Sequence, residues 1–236
     1  GWSIDAVFNS FKPKYFNGLF NDQDIINGKI QTKGEWSNRA KYISIPQLNI
    51  KGLIQGKTLL GHGNLNLDLN RSAAQLSNQN KVVLSYANNI VELTNQLNAS
   101  QQSLELRVKA DNLGEIPFIG LRGKVRGVLS AGLKNNHLAL THLTNLRANL
   151  LAENLMFKDI LQVRTLKLQG DLPTSTDQID ELNLSAQHIK FNQVDVNQVN
   201  AKLTGKRSEH ALKLNIAQSN ANASIELQGG LTPQNI

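Results

Sequence analysis

The sequence predicts an all-β fold: an elongated antiparallel or mixed sheet, curled so that one apolar face forms an open groove, with one short amphipathic helix near the N-terminus. Three observations carry that prediction. Apolar and polar residues alternate along most of the chain, as in Leu65-Asn66-Leu67-Asp68-Leu69, Leu104-Glu105-Leu106-Arg107-Val108 and Leu212-Lys213-Leu214-Asn215-Ile216. A period of two puts every apolar side chain on one face of a strand. Asn-rich and Gly-rich breaks separate these runs, at Asn88-Asn89, Asn135-Asn136, Gly170-Asp171, Gly205-Lys206 and Gly229-Gly230, and they carry turn chemistry. Aromatic residues, the usual fillers of a closed core, are uneven: eight of the twelve lie in the first 42 residues.

Taken in order, strands are expected at Trp2–Phe8, Gly28–Lys33, Tyr42–Ile45, Leu48–Leu53, Leu65–Leu69, Val82–Tyr86, Ile90–Thr94 and Leu104–Ala110. They continue at Lys124–Leu133, His137–Leu140, Leu146–Leu150, Asn154–Phe157, Val163–Gln169 and Glu181–His188. The last are Val194–Val196, Val199–Thr204, Ala211–Ala217 and Ala221–Gln228. Each rests on period-two alternation bounded by turn residues. One segment departs from it: Phe11, Tyr15, Phe16, Leu19 and Phe20 recur as on one face of a helix, over about residues 11–20. Ser10 would cap that helix, and Pro13 would suit its first turn. Packing against the first strands is the simpler role for its aromatic face; a plug is the other.

The chain reads as one continuous β-groove over residues 1–236, made of two imperfect repeats, about 1–105 and 106–236. Gly28-Lys29-Ile30 matches Gly123-Lys124-Val125 at an offset of 95, and the alternating runs match at offsets of 101 and 108. A strand, connection, Gly-strand order also recurs, in Phe8…Gly28 and Ala110…Gly123. Repeats that stack on one another extend a sheet rather than close a globule.

Composition excludes several functions. Lys and Arg number 25 against 18 Asp and Glu, a net charge of +7, but they are dispersed at strand spacing apart from a modest cluster at Arg122, Lys124 and Arg126. Dispersed charge of this kind solvates an outer face, and no aromatic-interleaved stripe points to nucleic acid. No cysteine offers a disulfide or thiol chemistry. His62, His137, His142, His188 and His210 lack metal-ligand spacing. Asp177, Asp180 and Glu181 suit a solvated loop, and Gly120, Gly123 and Gly127 suit sheet bends or close backbone approach rather than a phosphate loop. No enzyme activity, cofactor or metal is expected. No run approaches the ~18 apolar residues of a membrane span, nor does the start read as a signal peptide, so the chain is expected to be an internal piece of a longer protein.

A one-sided sheet must cover its leucines. A transmembrane barrel would need aromatic girdles, and a β-helix a coil period near ~20 residues; neither pattern is present. A trough remains. With strands ~4.8 Å apart, about fifteen of them would extend roughly 70 Å. Its floor of Leu, Ile, Val and Ala suits acyl chains, since each CH₂ kept from water is worth ~0.8 kcal/mol.

At this point the chain resembles a known family. The carrying residues are Ala110-Asp111-Asn112-Leu113, then Pro117…Gly120-Leu121-Arg122-Gly123-Lys124-Val125-Arg126-Gly127-Val128-Leu129. Leu166-Lys167-Leu168-Gln169-Gly170-Asp171-Leu172 and Leu212…Ile225-Glu226-Leu227-Gln228-Gly229 follow. They are similar to the repeated periplasmic region of the TamB family, among the AsmA-like bridge proteins of Gram-negative bacteria. The resemblance implies a β-groove across the periplasm, anchored in the inner membrane by a segment outside this chain. It also implies association of the full-length protein with an Omp85-type outer-membrane barrel, TamA, and a role in phospholipid transport or autotransporter assembly. It brings no catalytic residues.

The residues expected to line the groove are Leu65, Leu67 and Leu69, then Leu104, Leu106 and Val108, then Leu138 and Leu140. Leu166, Leu168, Leu182, Leu184, Leu212, Leu214, Ile216, Ile225 and Leu227 complete the set. Three readings share that groove: a conduit for phospholipid acyl chains, a scaffold or chaperone that takes extended polypeptide by strand addition, and a structural spacer closed by its own loops.

Overall fold

The computed structural model describes residues 1–15, 20–37, 41–68, 80–98, 101–117, 119–133, 143–172, 180–206 and 209–230. Fourteen strands follow one another: β1 (Trp2–Phe11), β2 (Ile25–Trp36), β3 (Lys41–Ile54), β4 (Lys57–Asp68), β5 (Asn80–Tyr86), β6 (Asn89–Asn98) and β7 (Gln101–Ala110). Then come β8 (Leu121–Leu133), β9 (Leu143–Phe157), β10 (Leu161–Leu172), β11 (Asp180–Phe191), β12 (Val194–Lys206), β13 (Glu209–Ala217) and β14 (Asn222–Gly229). Their order in the sheet is their order in the chain, so each strand pairs with its sequence neighbours. The chain divides into two compact units, the first chiefly Gly1–Val108 and the second Lys109–Ala131 with Leu143–Ile236.

In the first unit, register builds continuous rows across six antiparallel strands. One row is Ala6, Ile30, Leu48, Gly63, Val82 and Leu93. Its neighbour is Phe8, Gly28, Ile50, Gly61, Leu84 and Val91. Leu48, Leu65 and Val82 form the buried cluster, with Ile30, Ile45, Ile50 and Leu93 packed against it. The glycines matter here. A Cβ on Gly61 would stand 2.6 Å from Ile50 Cγ1 and 2.9 Å from Leu84 Cδ2, so both side chains lean into the space that the glycine leaves.

The second unit has its own rows. Ala148, Gly170, Leu182, Leu203, Leu212 and Leu227 share one; Leu150, Leu168, Leu184, Ala201, Leu214 and Ile225 share the next. Ala152, Leu166, Ala186, Val199, Ile216 and Ala223 form the third.

Beyond that third row the alternation slips by one residue in four adjacent strands at the same level. The apolar spacing becomes three between Ala152 and Leu155, Val163 and Leu166, Ala186 and Ile189, and Val196 and Val199. Glu153, Thr165, Gln187 and Gln198 pair across this line, and the ladder resumes in register at Leu155, Val163, Ile189 and Val196. Asn154 and His188 take left-handed backbone there, φ 51° and 49°. Strict period two would turn Val163 outward with Lys167 and Gln169; instead Val163 is buried, and Leu155, Ile189 and Val196 are half-buried. An extra residue of this kind bends a strand and strengthens its twist. The doubled polar pair thus lies along a bend, with apolar residues on the same side of the sheet before and after it.

The same device corrects several expectations. Tyr42–Ile45 and Leu48–Leu53 are one strand, β3, bulged between Ile45 and Leu48. Leu146–Leu150 and Asn154–Phe157 are both parts of β9, and Val194–Val196 and Val199–Thr204 both parts of β12. Gly170-Asp171 is not a turn but lies inside β10, opposite Ala148 and Arg147. Asp180 and Glu181 open β11 rather than sit in a loop. His137 and His142, and the strand expected at His137–Leu140, lie outside the described residues, as does Asp177.

No α-helix occurs at 11–20 among the described residues. Phe11 closes β1 after a bulge at Ser10, whose φ is 50° and whose N–H donates to Asn27 Oδ1 at 2.7 Å. Phe8 and Phe11 meet edge to face at 5.4 Å, so their three-residue spacing is a bulged strand rather than a helical turn. A single 3₁₀ turn follows at Pro13–Tyr15. Phe16 and Leu19 fall outside the described residues. Asp24, only 1% exposed, ties the end of this connection down by accepting from Gln55 N–H at 2.6 Å and Asn21 N–H at 2.9 Å.

The opposite face of the sheet is polar and laced across strands. Lys29 pairs with Asp5 at 3.4 Å, Lys81 with Glu92 at 2.8 Å, Arg147 with Asp171 at 3.1 Å and Lys202 with Glu181 at 3.2 Å. Arg126 holds Asp111 beside β8. Its hydrogen bond sets the Asp111 carboxyl below the ordinary 3.8, helped by the charges of Lys109 and Lys124. Gln31 first and Lys29 second lower Asp5 in the same sense, as Asn183 and then Lys202 lower Glu181.

Two predictions follow from this architecture. Gly28 has φ +135° and a Cβ there would lie 2.0 Å from Asn49 O, a backbone atom that has no room to retreat. Gly28→Ala is expected to cost about 2–3 kcal/mol in denaturant unfolding, whereas Gly61→Ala, which meets side-chain ends, costs about 1 kcal/mol. Equal costs would contradict the distinction between backbone and side-chain crowding. The second concerns acid. A folded-state pKa below the unfolded one stabilises above about pH 4, and that contribution disappears as pH falls through the lowered value. Asp111→Asn should therefore lower the thermal midpoint slightly at neutral pH, a deficit that shrinks as pH falls through the lowered pKa of the wild-type carboxyl. An equal deficit above and below that pKa would rule out the ion pair as its cause.

Candidate functional site

The two units treat their apolar faces differently. In the first, Leu48, Ile54, Leu65 and Val82 are buried, while Leu84 and Val91 of the neighbouring row stay 42% and 39% exposed. In the second, the buried members of the rows are Val163 and three alanines, Ala148, Ala152 and Ala186. Leucines 150, 166, 168, 182, 184, 203, 212 and 214 there are only half-buried. The difference has a cause in the residues. First-unit rows interleave glycine with bulky neighbours at Gly28, Gly61 and Gly63, while second-unit rows hold runs of adjacent leucines, Leu150, Leu168 and Leu184 in one and Leu182, Leu203 and Leu212 in another. The second unit offers an apolar face of half-buried leucines.

Placement of the expected lining residues follows. Leu166 and Ile216 share one row, Leu168, Leu184, Leu214 and Ile225 the next, and Leu182, Leu212 and Leu227 the third. Exposure rises toward the final strand, to 47% at Ile225 and 57% at Leu227. Leu104, Leu106 and Val108 alternate along β7, half-buried. Leu65 belongs to the packed cluster of the first unit at 7% exposure. Leu67 is placed by register opposite Ile43, and nothing further is described of its side chain. Leu69, Leu138 and Leu140 lie outside the described residues.

The structure adds residues that alternation did not bring out. Leu150, Val199, Ala201 and Leu203 complete the rows through β9 and β12. Beyond the bend, Phe157, Leu161, Phe191 and Val194 pair in one further row. Phe157 is 37% exposed, Phe191 53% and Val194 51%, and they form an apolar lip at the turn end of these strands. The signal that pointed to them was the three-residue slip, repeated in four consecutive strands.

No charged residue occurs in the rows from Ala148 to Leu227, from Leu150 to Ile225 or from Ala152 to Ala223. Of the carboxyls whose pKa values are lowered, Asp5 and Glu181 sit among the cross-strand pairs of the polar side, and Asp111 in the connection after β7, held by Arg126. Among the described residues no set of three or more His, Asp or Glu gathers in metal-binding geometry. Among the described residues no helix is long and apolar enough to cross a membrane. What such a face does chemically is take apolar surface out of water without directional bonds.

No solved structure matches the chain. A family model does: that described as TamB, N-terminal domain, over residues 2–236. With nearly its whole length matched, and with the all-β, one-sided sheet on which the resemblance rested, the chain belongs to the TamB family.

Proposed function

We propose that this chain is a periplasmic segment of a bridge that conducts phospholipid acyl chains between the inner and outer membranes along the apolar face of its sheet. Family membership supports a bridging or assembly role. The observation that carries the lipid reading is the second unit's three uncharged rows of half-exposed leucine, isoleucine, valine and alanine, which continue strand after strand. Each acyl CH₂ laid on them is worth about 0.8 kcal/mol, so a two-chain lipid gains a large total without any single residue dominating. No catalysis and no cofactor enter this reading. The TamA-type barrel and the membranes are engaged by the full-length protein, through segments outside these residues.

A second reading draws on β14, which pairs only with β13 among the described residues. An open strand edge accepts extended polypeptide by main-chain hydrogen bonding, which suits a scaffold for outer-membrane protein assembly.

Leu168→Arg and Leu214→Arg separate conduit from core. An arginine on a half-open face extends its guanidinium into water, so the protein is expected to stay folded while phospholipid recovered by organic extraction drops several-fold. Leu65→Arg, in the sealed cluster, should instead destabilise by roughly 4 kcal/mol or more. If Leu168→Arg unfolds the protein as Leu65→Arg does, the second-unit face is ordinary core. Photo-crosslinkers at Leu168 and on β14 decide between cargoes: lipid adducts at Leu168 support conduction, and polypeptide adducts confined to β14 support strand addition.

A further inference from the structure

Near the lip of the second unit a small polar pocket lies between the connection that follows β7 and the β9–β10 turn. Its walls include Arg122 and Lys158 as cations and Asp159 as an acid, with Ile116, Leu121 and Met156 as apolar members. Gly120 joins this pocket to the lip. Its carbonyl accepts the Lys158 N–H at 3.3 Å, and a Cβ on it would lie 3.8 Å from the Phe157 ring. The stem of Arg122 lies over Gly114, its Cγ 3.4 Å from where a Cβ there would stand. Lys158 places its ammonium 5.5 Å from the centre of the Phe157 ring, the first residue of the apolar lip row. The Asn192 N–H donates to Ile160 O at 2.8 Å and so ties this turn to the one beside Phe191 and Val194. Arg122 and Lys158 form no ion pair among the described residues, whereas Arg126, Lys109, Arg147 and Lys202 all do.

We infer that this pocket is a phosphate-binding subsite for the head group of an anionic phospholipid whose acyl chains lie on the adjoining lip of Phe157, Leu161, Phe191 and Val194. The inference rests on the conduit reading and adds selectivity to it. The lining carries two cations and one carboxylate at a place where exposed apolar residues begin, which is the pairing an anionic amphiphile presents. Arg122 supplies a planar donor fork suited to phosphate oxygens, and Lys158 a point charge on a short turn held by its own backbone. A diacylglycerol would gain the lip without the pocket, and inorganic phosphate the pocket without the lip.

The test uses the whole chain and three soluble probes: dihexanoyl phosphatidylglycerol, dihexanoylglycerol and inorganic phosphate, with binding followed by equilibrium dialysis. Wild type is expected to bind the phosphatidylglycerol about tenfold more tightly than the uncharged lipid, as a charge-assisted contact of this kind allows. The Arg122→Gln/Lys158→Gln double variant, altered only at exposed positions, should remove that difference and leave dihexanoylglycerol binding unchanged. Phe191→Asn should weaken both lipids together. Equal binding of the two lipids by wild type, or unchanged phosphatidylglycerol binding in the double variant, would overturn the head-group subsite and leave the conduit reading standing. Inorganic phosphate binding as tightly as the lipid would also overturn it, because the lip would then contribute nothing. If wild type binds neither lipid, the conduit reading itself fails.

Discussion

Everything in this molecule depends on keeping apolar side chains on one side of strands that are long and must bend. A flat strand of period two does that only while it stays straight. β9 has 15 residues and β10 has 12, lengths of about 40–50 Å at the usual rise. Bending such strands without a break would turn side chains off the common face or tear the ladder. The doubled polar pairs at Glu153-Asn154, Arg164-Thr165, Gln187-His188 and Asn197-Gln198 resolve that conflict, because neighbouring strands take up the extra residue at one level and the hydrogen bonds resume in register. The first unit handles its own bends strand by strand, with shifts between Phe8 and Phe11 in β1 and between Ile45 and Leu48 in β3. One-sidedness is thus maintained by bulges, which are as much a part of the pattern as the leucines.

From that shared construction, side-chain volume decides whether a face closes. Gly63 stands between Leu48 and Val82 in one row, and both belong to the packed cluster; Ile50, between Gly28 and Gly61 in the next, packs against it, while Leu84 at the far side stays 42% exposed. Where Leu150, Leu168 and Leu184 stand side by side, each leucine stays partly open. Close packing needs complementary large and small neighbours. In the second unit's three rows the buried residues are the small ones Ala148, Ala152 and Ala186, while Gly170 and Ala201 are half-buried and Ala223 is exposed.

Much of this was legible in the chain. Period two identified the strands, the one-sided sheet and most of the leucine rows, because burial acts on side chains at that period wherever the backbone is extended. The misreadings share one cause. A bulge interrupts alternation just as a loop does, so Leu146–Leu150 and Asn154–Phe157 looked like two strands when they are one. Phe11 stands at helical intervals from Tyr15 and Leu19, yet it closes the bulged strand β1. Gly170 looked like a turn because glycine often marks one; in the structure a Cβ there would lie 2.2 Å from Glu181 O, so the close approach of β11 is what requires it. The lip at Phe157, Phe191 and Val194 was hidden for a related reason: its residues follow a phase change, and only the pairing of four strands shows that the change is common to all.

The division of labour between the two faces bears on what kind of recognition such a sheet performs. Directional interactions, the cross-strand ion pairs and amide contacts, are used on the polar side, where they join neighbouring strands. The apolar rows offer none, so they discriminate by the amount of apolar surface a ligand brings and not by its functional groups. Any finer choice has to be made where the two kinds of surface meet. In the second unit that meeting place is the turn end of the strands, where Phe157 ends an apolar row and Lys158 begins a polar pocket. A surface organised in this way spreads its grip over many weak contacts and gathers its selectivity at the margin. On the proposed conduit reading, trimming one apolar side chain within a row changes capacity gradually, whereas substitutions at the margin change which ligands are held.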